Sequence, residues 1–150
     1  MKSILLRATL MSVMALALGP RVGYASADAP TDAEVEAHKD VLDLAGAFTN
    51  DGFKLRDGYY AGTLKTGQLV VIQVNLYAGN EYWFSVATAK PESAVTIAVY
   101  DETGNLVKTN PYTDAHRAAA GFSPDNSGPF YLKIADTGAP ATYCTIYSYK

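Results

Sequence analysis

The amino-acid sequence predicts an all-β fold of antiparallel sheets, either a sandwich or a barrel. From residue 59 onward, short runs rich in Val, Ile, Tyr, Phe and Thr alternate with clusters of Gly, Asn, Asp and Pro. In several runs apolar and polar residues also alternate one by one, which turns one face of a strand to a core and the other to solvent. Eight such runs, about ten residues apart and separated by turn-forming residues, are typical of a sandwich or a barrel.

The alternation also predicts which strand residues face the core. It is clearest in the runs that begin at Leu69, Tyr82, Val95 and Phe130, and it turns Gln73, Asn75, Trp83 and Ser85 outward. The predicted inward residues are Ile72, Val74, Leu76, Tyr82, Phe84, Val86, Val95, Ile97, Val99, Phe130, Leu132 and Ile134. The eight predicted strands are Tyr59–Leu64, Leu69–Tyr77, Tyr82–Thr88, Val95–Asp101, Leu106–Thr109, Arg117–Phe122, Phe130–Ala135 and Thr142–Tyr149.

Residues 1–27 have the three parts of a secretory signal peptide. Lys2 and Arg7 give a positive start, an apolar stretch follows at residues 8–18, and small residues at 25–27 offer a cleavage site after Ala27. The apolar stretch is too short to cross a bilayer as a helix, although an N-terminal membrane anchor is the alternative. We therefore expect export to the periplasm or the medium, with no membrane insertion after cleavage.

The charge of the remaining chain argues against two classes of partner. Residues 1–27 hold three of the twelve Lys and Arg and none of the fifteen Asp and Glu, so residues 28–150 have a formal net charge of −6. Nucleic acids and anionic membranes are bound through basic patches, and the sequence has no Lys/Arg cluster. We therefore expect no nucleic-acid partner.

Residues 28–55 are predicted to form an N-terminal arm with a short helix. Thr31 and Glu34 have the spacing of a capping box, in which each side chain accepts a hydrogen bond from a backbone N–H at the start of a helix. Turn-forming residues at 50–52 end this segment, and the β domain is expected to span residues 56–150. The apolar residues that could share one helix face are Val35, Leu42, Ala45 and Phe48.

Three segments of the β domain resemble a known family. They are residues 78–86 (AGNEYWFSV), residues 97–104 (IAVYDETG), and residues 120–134, where AGFSP is followed by SGPFYLKI. In order and spacing they resemble the bacterial pre-peptidase C-terminal (PPC) domain, over about residues 56–149. The resemblance implies a jelly-roll-like β-sandwich with an accessory role: export or maturation of a secreted enzyme, or attachment to collagen-type or polysaccharide material. It also implies that some relatives bind calcium.

The chain departs from the family in having no room for a catalytic domain. Residues 28–55 are too short to form one, so a stand-alone adhesin, an inhibitor or an envelope component is an alternative to an enzyme accessory. Nucleophilic catalysis needs a nucleophile, a base and an orienting group. Cys144 and His116 are the one Cys/His pair considered for the first two roles, and His38 lies apart from them in the arm. We expect Cys144 to be buried like a small apolar residue, with a disulfide to another chain as the alternative.

Calcium is the metal that the sequence fits best, and no other cofactor is expected. Calcium takes about six to eight oxygen ligands, often from loop carboxylates and carbonyls. Asp101, Glu102, Asp125 and Asn126 lie in predicted loops and are the candidate ligands. Because Asp and Asn also form turns without a metal, turn chemistry is the competing explanation. A small hydrolase using Asp101 and Asp125 as an acid pair is a further, less favoured alternative.

Aromatic residues are the best candidates for ligand contacts. The chain contains eleven Tyr and one Trp. Trp83, Tyr100 and Tyr131 lie opposite to the predicted core positions, and Tyr77 is a further candidate. Rings on an exposed sheet face can stack on sugars or anchor a protein. The alternative is that a second sheet or the N-terminal arm covers that face, since Tyr is also common in strands.

The sequence therefore predicts an exported, non-catalytic binding or accessory module. Its ligand would be a polysaccharide or a protein, outside the cell or in the envelope. The alternatives are a structural partner subunit, joined to another chain through residues 28–50 or Cys144, and an accessory or inhibitor of a secreted enzyme.

Overall fold

The computed structural model describes residues 29–150, so the predicted signal peptide at residues 1–27 lies outside the described residues. Residues 29–150 form one α-helix and nine β-strands. The helix α1 spans Asp32–Thr49. The strands are β1 (Lys54–Leu55), β2 (Tyr60–Leu64), β3 (Leu69–Leu76), β4 (Tyr82–Thr88), β5 (Val95–Tyr100), β6 (Asn110–Asp114), β7 (Arg117–Phe122), β8 (Gly128–Asp136) and β9 (Ala141–Tyr149).

The strands form two antiparallel sheets, which confirms the predicted all-β sandwich. The six-stranded sheet has the order β1-β9-β4-β7-β6, with β2 also paired to β9. The three-stranded sheet has the order β3-β8-β5. Seven of the eight predicted strands lie within two residues of an observed strand at each end.

The core between the two sheets contains eleven of the twelve residues that alternation predicted to face inward, and the twelfth, Ile97, is partly buried and packs against it. Phe84, Val86 and Ile134 are fully buried, and the outward residues Gln73 and Asn75 of β3 are exposed, as expected. The buried residues of this core are Leu64, Ile72, Val74, Leu76, Tyr82, Phe84, Val86, Val95, Val99, Ala118, Ala120, Phe130, Leu132, Ile134, Tyr143 and Tyr147.

The predicted N-terminal helix is also confirmed, and it begins at the predicted capping box. The hydroxyl of Thr31 accepts a hydrogen bond from the backbone N–H of Glu34 at 3.2 Å, and the Glu34 carboxylate accepts one from the Thr31 N–H at 2.8 Å. The helix lies on the outer face of the six-stranded sheet, where Val41 is fully buried. Burial of a side chain of that size contributes about 1.5–3 kcal/mol, so the helix is anchored by packing as well as by its cap.

The predicted helix face was wrong at two of its four positions. Val35 is 56% exposed and Leu42 is 37% exposed. The face that packs on the sheet instead uses residues spaced three and four apart, with two alanines among them. Several side chains beneath the helix are also small, among them Ala87 of β4 and Cys144 of β9, so small helix residues allow a close approach. The buried helix residues are Ala37, Val41, Leu44 and Ala45.

One predicted strand was wrong. Leu106–Thr109 forms no strand, and Leu106 is 66% exposed and makes only a single bridge to Tyr100. The strand forms later, as β6, at the edge of the six-stranded sheet beside β7. All residues of β6 are exposed, so it has no alternation of apolar and polar residues. It also contains Pro111, which is tolerated in edge strands because one side of such a strand is unpaired.

Gly79 and Gly104 lie in turns whose backbone requires glycine. Their φ angles are 89° and 83°, in the left-handed region that glycine adopts without strain. A similar turn between β6 and β7 has Ala115 at φ 44°. A residue with a side chain in this region is strained by about 1–2 kcal/mol, so Ala115 lowers the stability of the folded state.

Candidate functional site

A cleft rich in tyrosine lies at one corner of the sandwich. The C-terminal half of β3 there meets the start of β4 and the end of β9, and the cleft has a volume of about 520 Å³. Strand β3 is an edge of its sheet, so the space beside it is open. The cleft is lined by Arg56, Tyr60, Gln73, Val74, Asn75, Tyr77, Asn80, Tyr82, Tyr147 and Tyr149.

Two buried tyrosines form the floor of the cleft. Tyr82 and Tyr147 are only 3% and 7% exposed, and their ring centroids are 6.2 Å apart. The Tyr82 hydroxyl accepts hydrogen bonds from the backbone N–H of Tyr77 at 3.0 Å and from the Asn80 side chain at 3.1 Å. A phenol oxygen accepts through its lone pairs and retains one O–H. The Tyr82 hydroxyl therefore keeps a donor that can be directed to a ligand.

Arg56 lies over the Tyr147 ring at the side of the cleft. Its guanidinium carbon is 5.1 Å from the ring centroid, which is a cation–π distance. Its Nη1 donates a hydrogen bond to the Tyr147 hydroxyl, and its backbone N–H donates to the Tyr147 carbonyl at 3.0 Å. Within residues 29–150, none of the four ion pairs involves Arg56. The cleft thus contains a positive charge on an exposed side chain, which contacts Tyr147 and has no carboxylate partner among residues 29–150.

The walls of the cleft are exposed rings and amides. Tyr60, Tyr77 and Tyr149 are 43%, 65% and 38% exposed. Gln73 and Asn75 point outward from β3 and line the same space. No Asp or Glu is among the lining residues, so the cleft presents ring faces, hydrogen-bonding groups and one cation.

A second open surface is the outer face of the three-stranded sheet. Tyr131 of β8 is directly opposite Tyr100 of β5 and opposite Gln73 of β3, so the three side chains form a row. The adjacent row on the same face, two residues along the strands, contains Val71, which is 55% exposed, beside Lys133. A shallow hollow of about 570 Å³ lies over this face and is bordered by the loop at residues 101–104. We call this surface the open sheet face.

The open sheet face brings together two of the four predicted ligand residues. Tyr100 and Tyr131 are neighbours there, and both are half-buried. Tyr77 lies apart from them in the cleft. Trp83 lies on the other sheet, where its ring stacks on Phe48 of α1 with centroids 4.2 Å apart and planes 8° apart. The helix therefore covers Trp83, which is the alternative that the sequence left open for this face.

The four candidate calcium ligands line a single pocket, but turn chemistry already uses one of them. Asp101, Glu102, Asp125 and Asn126 border a space of about 300 Å³. Among residues 29–150, no group of three or more His, Cys, Asp or Glu is placed to hold a metal ion. The Asp101 carboxylate accepts hydrogen bonds within its own hairpin, from residues 103 and 105, at 2.8–3.2 Å. The Asn105 backbone N–H and the Thr103 hydroxyl lower the pKa of Asp101 below its usual value.

Cys144 is buried between α1 and the six-stranded sheet, as predicted. It is 0% exposed, among Val41, Ala87 and Ile146. Burial raises the pKa of the Cys144 thiol to about 12, whereas a reactive thiol needs a lowered pKa. His116 instead contacts Asp40 of α1, with Nε2 3.2 Å from the carboxylate oxygen. His38 stacks on Tyr59, with ring centroids 4.3 Å apart.

Sequence reasoning missed most of the cleft. Arg56 and Tyr60 lie at the start of the predicted β domain and were not singled out, Tyr82 was assigned to the core, and Tyr147 lies in the last predicted strand. Tyr82 and Tyr147 do belong to the core, but their hydroxyl ends reach the cleft. The local signal that could have indicated a site is the density of tyrosine at both ends of the β domain.

Comparison with known proteins leaves the family open. No protein-family model matches the chain, and no curated protein matches it. The resemblance to the PPC domain therefore stays a prediction. Within residues 29–150, no helix combines the length and the apolar character needed to cross a membrane.

Proposed function

We propose that this protein is an exported, non-catalytic binding module that attaches to a polysaccharide outside the cytoplasm. The observation on which the proposal rests is the open sheet face. One outer face of the sandwich is covered by α1, and the other presents a tyrosine pair beside exposed aliphatic side chains. Exposed apolar surface of this kind marks interaction sites.

The flatness of the surface favours a polymer over a small molecule. The row of Gln73, Tyr131 and Tyr100 crosses all three strands of the sheet. Tyrosine rings and an amide in one row offer stacking and hydrogen bonding to successive sugar units. The hollow above them is shallow and open, unlike the enclosed pockets that surround small ligands.

Two features support a role without catalysis. Asp101, the first member of the acid pair considered for hydrolysis, has a lowered pKa because its own hairpin donates hydrogen bonds to it. A general acid at neutral pH needs a raised pKa instead. Cys144 has no access to a substrate and its pKa is raised. The signal peptide pattern at residues 1–27 and the resemblance to the PPC domain support export and an accessory role.

A co-sedimentation experiment tests this proposal. The purified chain is mixed with insoluble cellulose, chitin, bacterial cell wall and collagen, with calcium or with a chelator. We expect retention on a polysaccharide, reduced about tenfold or more in Tyr131→Ala because central aromatic contacts dominate binding. Tyr112→Ala is the matched control, since Tyr112 is 39% exposed on β6, at the far edge of the other sheet.

Each outcome of this experiment decides between specific alternatives. Retention that is lost in Tyr131→Ala and kept in Tyr112→Ala supports binding through the open sheet face. Retention on collagen alone, or on none of the four materials, contradicts polysaccharide attachment and favours a protein partner. Retention that requires calcium returns Asp101, Glu102, Asp125 and Asn126 to consideration as ligands.

A further inference from the structure

The tyrosine-lined cleft has the chemistry of a second binding site, which adjoins the open sheet face at Gln73. We propose that it binds acidic oligosaccharides, with the Arg56 guanidinium pairing with a sugar carboxylate. This inference does not depend on the open sheet face, because its central residues, Arg56, Tyr60 and Tyr77, lie outside that surface.

Arg56 supplies the first argument. Its guanidinium is positioned by a hydrogen bond to the Tyr147 hydroxyl and by the Tyr147 ring beneath it. A guanidinium has five N–H donors and binds carboxylates in a two-point geometry. Arg56 lines the cleft, and no carboxylate of residues 29–150 forms an ion pair with it. In a chain with a negative net charge, an unpaired and positioned arginine is the group that would select an acidic ligand.

The floor of the cleft supplies the second argument. The lone pairs of the Tyr82 hydroxyl are occupied by the Tyr77 N–H and the Asn80 amide, which leaves its O–H as a donor. The Tyr147 hydroxyl accepts from Arg56 and likewise retains its O–H. The deep end of the cleft is therefore rich in donors, and no carboxylate lines it. Such a site fits a ligand rich in acceptors, such as a carboxylate with neighbouring hydroxyl groups.

The walls supply the third argument, which concerns the rest of the ligand. Tyr77 and Tyr60 have large exposed fractions beside the outward amides of Gln73 and Asn75. Aromatic faces pack on the C–H faces of sugar rings, and amides both donate to and accept from sugar hydroxyl groups. The volume of about 520 Å³ holds a few sugar units. A short stretch of an acidic glycan offers a partner to Arg56, to the hydroxyl donors of the floor, and to the rings and amides of the walls.

The test compares acidic and neutral oligosaccharides of equal length by calorimetry on the purified chain. The acidic probes are hexamers of galacturonate, of mannuronate and of hyaluronan. The neutral probes are cellohexaose and the methyl ester of the galacturonate hexamer, in which the carboxylate charge is removed and the sugar backbone is kept. We expect at least one acidic hexamer to bind about tenfold more tightly than either neutral hexamer, because hydrogen bonds to charged groups are the strong ones.

Variants assign the preference to the cleft. Arg56→Gln should remove the acidic preference, so that the acidic hexamer and its methyl ester bind with similar affinity. Arg56→Lys should keep part of the preference because the charge remains. Tyr77→Ala should weaken acidic and neutral probes together by about tenfold through the lost stacking. Tyr112→Ala should change nothing, and thermal unfolding of each variant shows whether the sandwich is intact.

The inference is overturned if no acidic hexamer binds, if the methyl ester binds as tightly as the acid, or if Arg56→Gln retains the preference in a folded protein. These outcomes are separable from failure of the proposed polymer attachment. Loss of polymer retention in Tyr131→Ala, with the acidic preference intact, supports two independent sites. An acidic preference without retention on any polymer contradicts the proposed attachment and leaves the cleft supported.

Discussion

Replacing Gly121 by alanine tests how closely the helix and the sheet are packed. A Cβ atom at Gly121 would lie 2.8 Å from Cζ2 and 2.9 Å from Cε2 of the Trp83 indole. Carbon atoms attract each other best at about 3.5–4.0 Å, so the ring or the strand has to move. The ring has little room, because Phe48 of α1 stacks on it with centroids 4.2 Å apart. The strain therefore passes to the contact between α1 and the sheet.

The expected cost of Gly121→Ala follows from two opposing terms. Overpacking a buried site costs about 1–3 kcal/mol. Removing a glycine from the interior of a strand recovers about 0.5–1 kcal/mol of conformational entropy. The free energy of unfolding should therefore fall by about 0.5–2 kcal/mol, which lowers the melting temperature by roughly 2–8 °C for a domain of this size.

Urea unfolding measures the change in free energy, with Gly128→Ala as the matched control. Gly128 also lies in a strand, but nothing lies within 4 Å of the Cβ that its replacement would add. That variant should be neutral or slightly more stable. In a Trp83→Leu background, Gly121→Ala should lose most of its cost, since residues in contact are coupled. An equal cost in both backgrounds, or no cost in the native one, would refute the packing described for Trp83.

Two further predictions concern the thiol and the strained turn. Cys144 should not react with a thiol reagent at pH 8 until the protein unfolds. Because its folded pKa is raised from 9.0 to about 12, its contribution to stability is complete below pH 9.0 and is lost as the pH rises toward 12. Unfolding curves should thus show stability falling by up to about 1.4 kcal/mol per pH unit in this window, relative to Cys144→Ala; parallel pH profiles of the two proteins would contradict this. Ala115→Gly should raise the free energy of unfolding by about 1 kcal/mol, since glycine adopts the φ of 44° without strain, and a loss of stability would show that the turn is not strained.

The strands and the helix start could be predicted because their signals are local. Alternation at Ile72, Val74 and Leu76 reports directly which face of β3 is buried. The capping box needs only Thr31 and Glu34, three residues apart. Strand β6 gave no such signal, because an exposed edge strand is held by pairing with β7 and not by burial of alternate side chains.

The two candidate surfaces could be predicted only in part, because they depend on which elements meet. Alternation correctly turned Tyr131 and Trp83 away from the core. Nothing in the sequence around either residue says that a helix covers one and not the other. The cleft is harder still, because Arg56 and Tyr147 are 91 positions apart and meet only through the pairing of β1 with β9. Spacing along the chain has no information about such a pair.

The side chains of the two outer faces explain why the helix covers one sheet and leaves the other open. Under α1, strands β4 and β7 present Ser85, Ala87 and Ala119, all nearly fully buried, and Gly121 makes room for the Trp83 ring. Small side chains let a helix approach closely enough to bury its own apolar face. The open sheet face instead has exposed valine beside two tyrosines, and no segment of residues 29–150 covers it. Its apolar surface is therefore not buried against any other part of residues 29–150. This exposure is the physical reason to look for a partner outside the molecule.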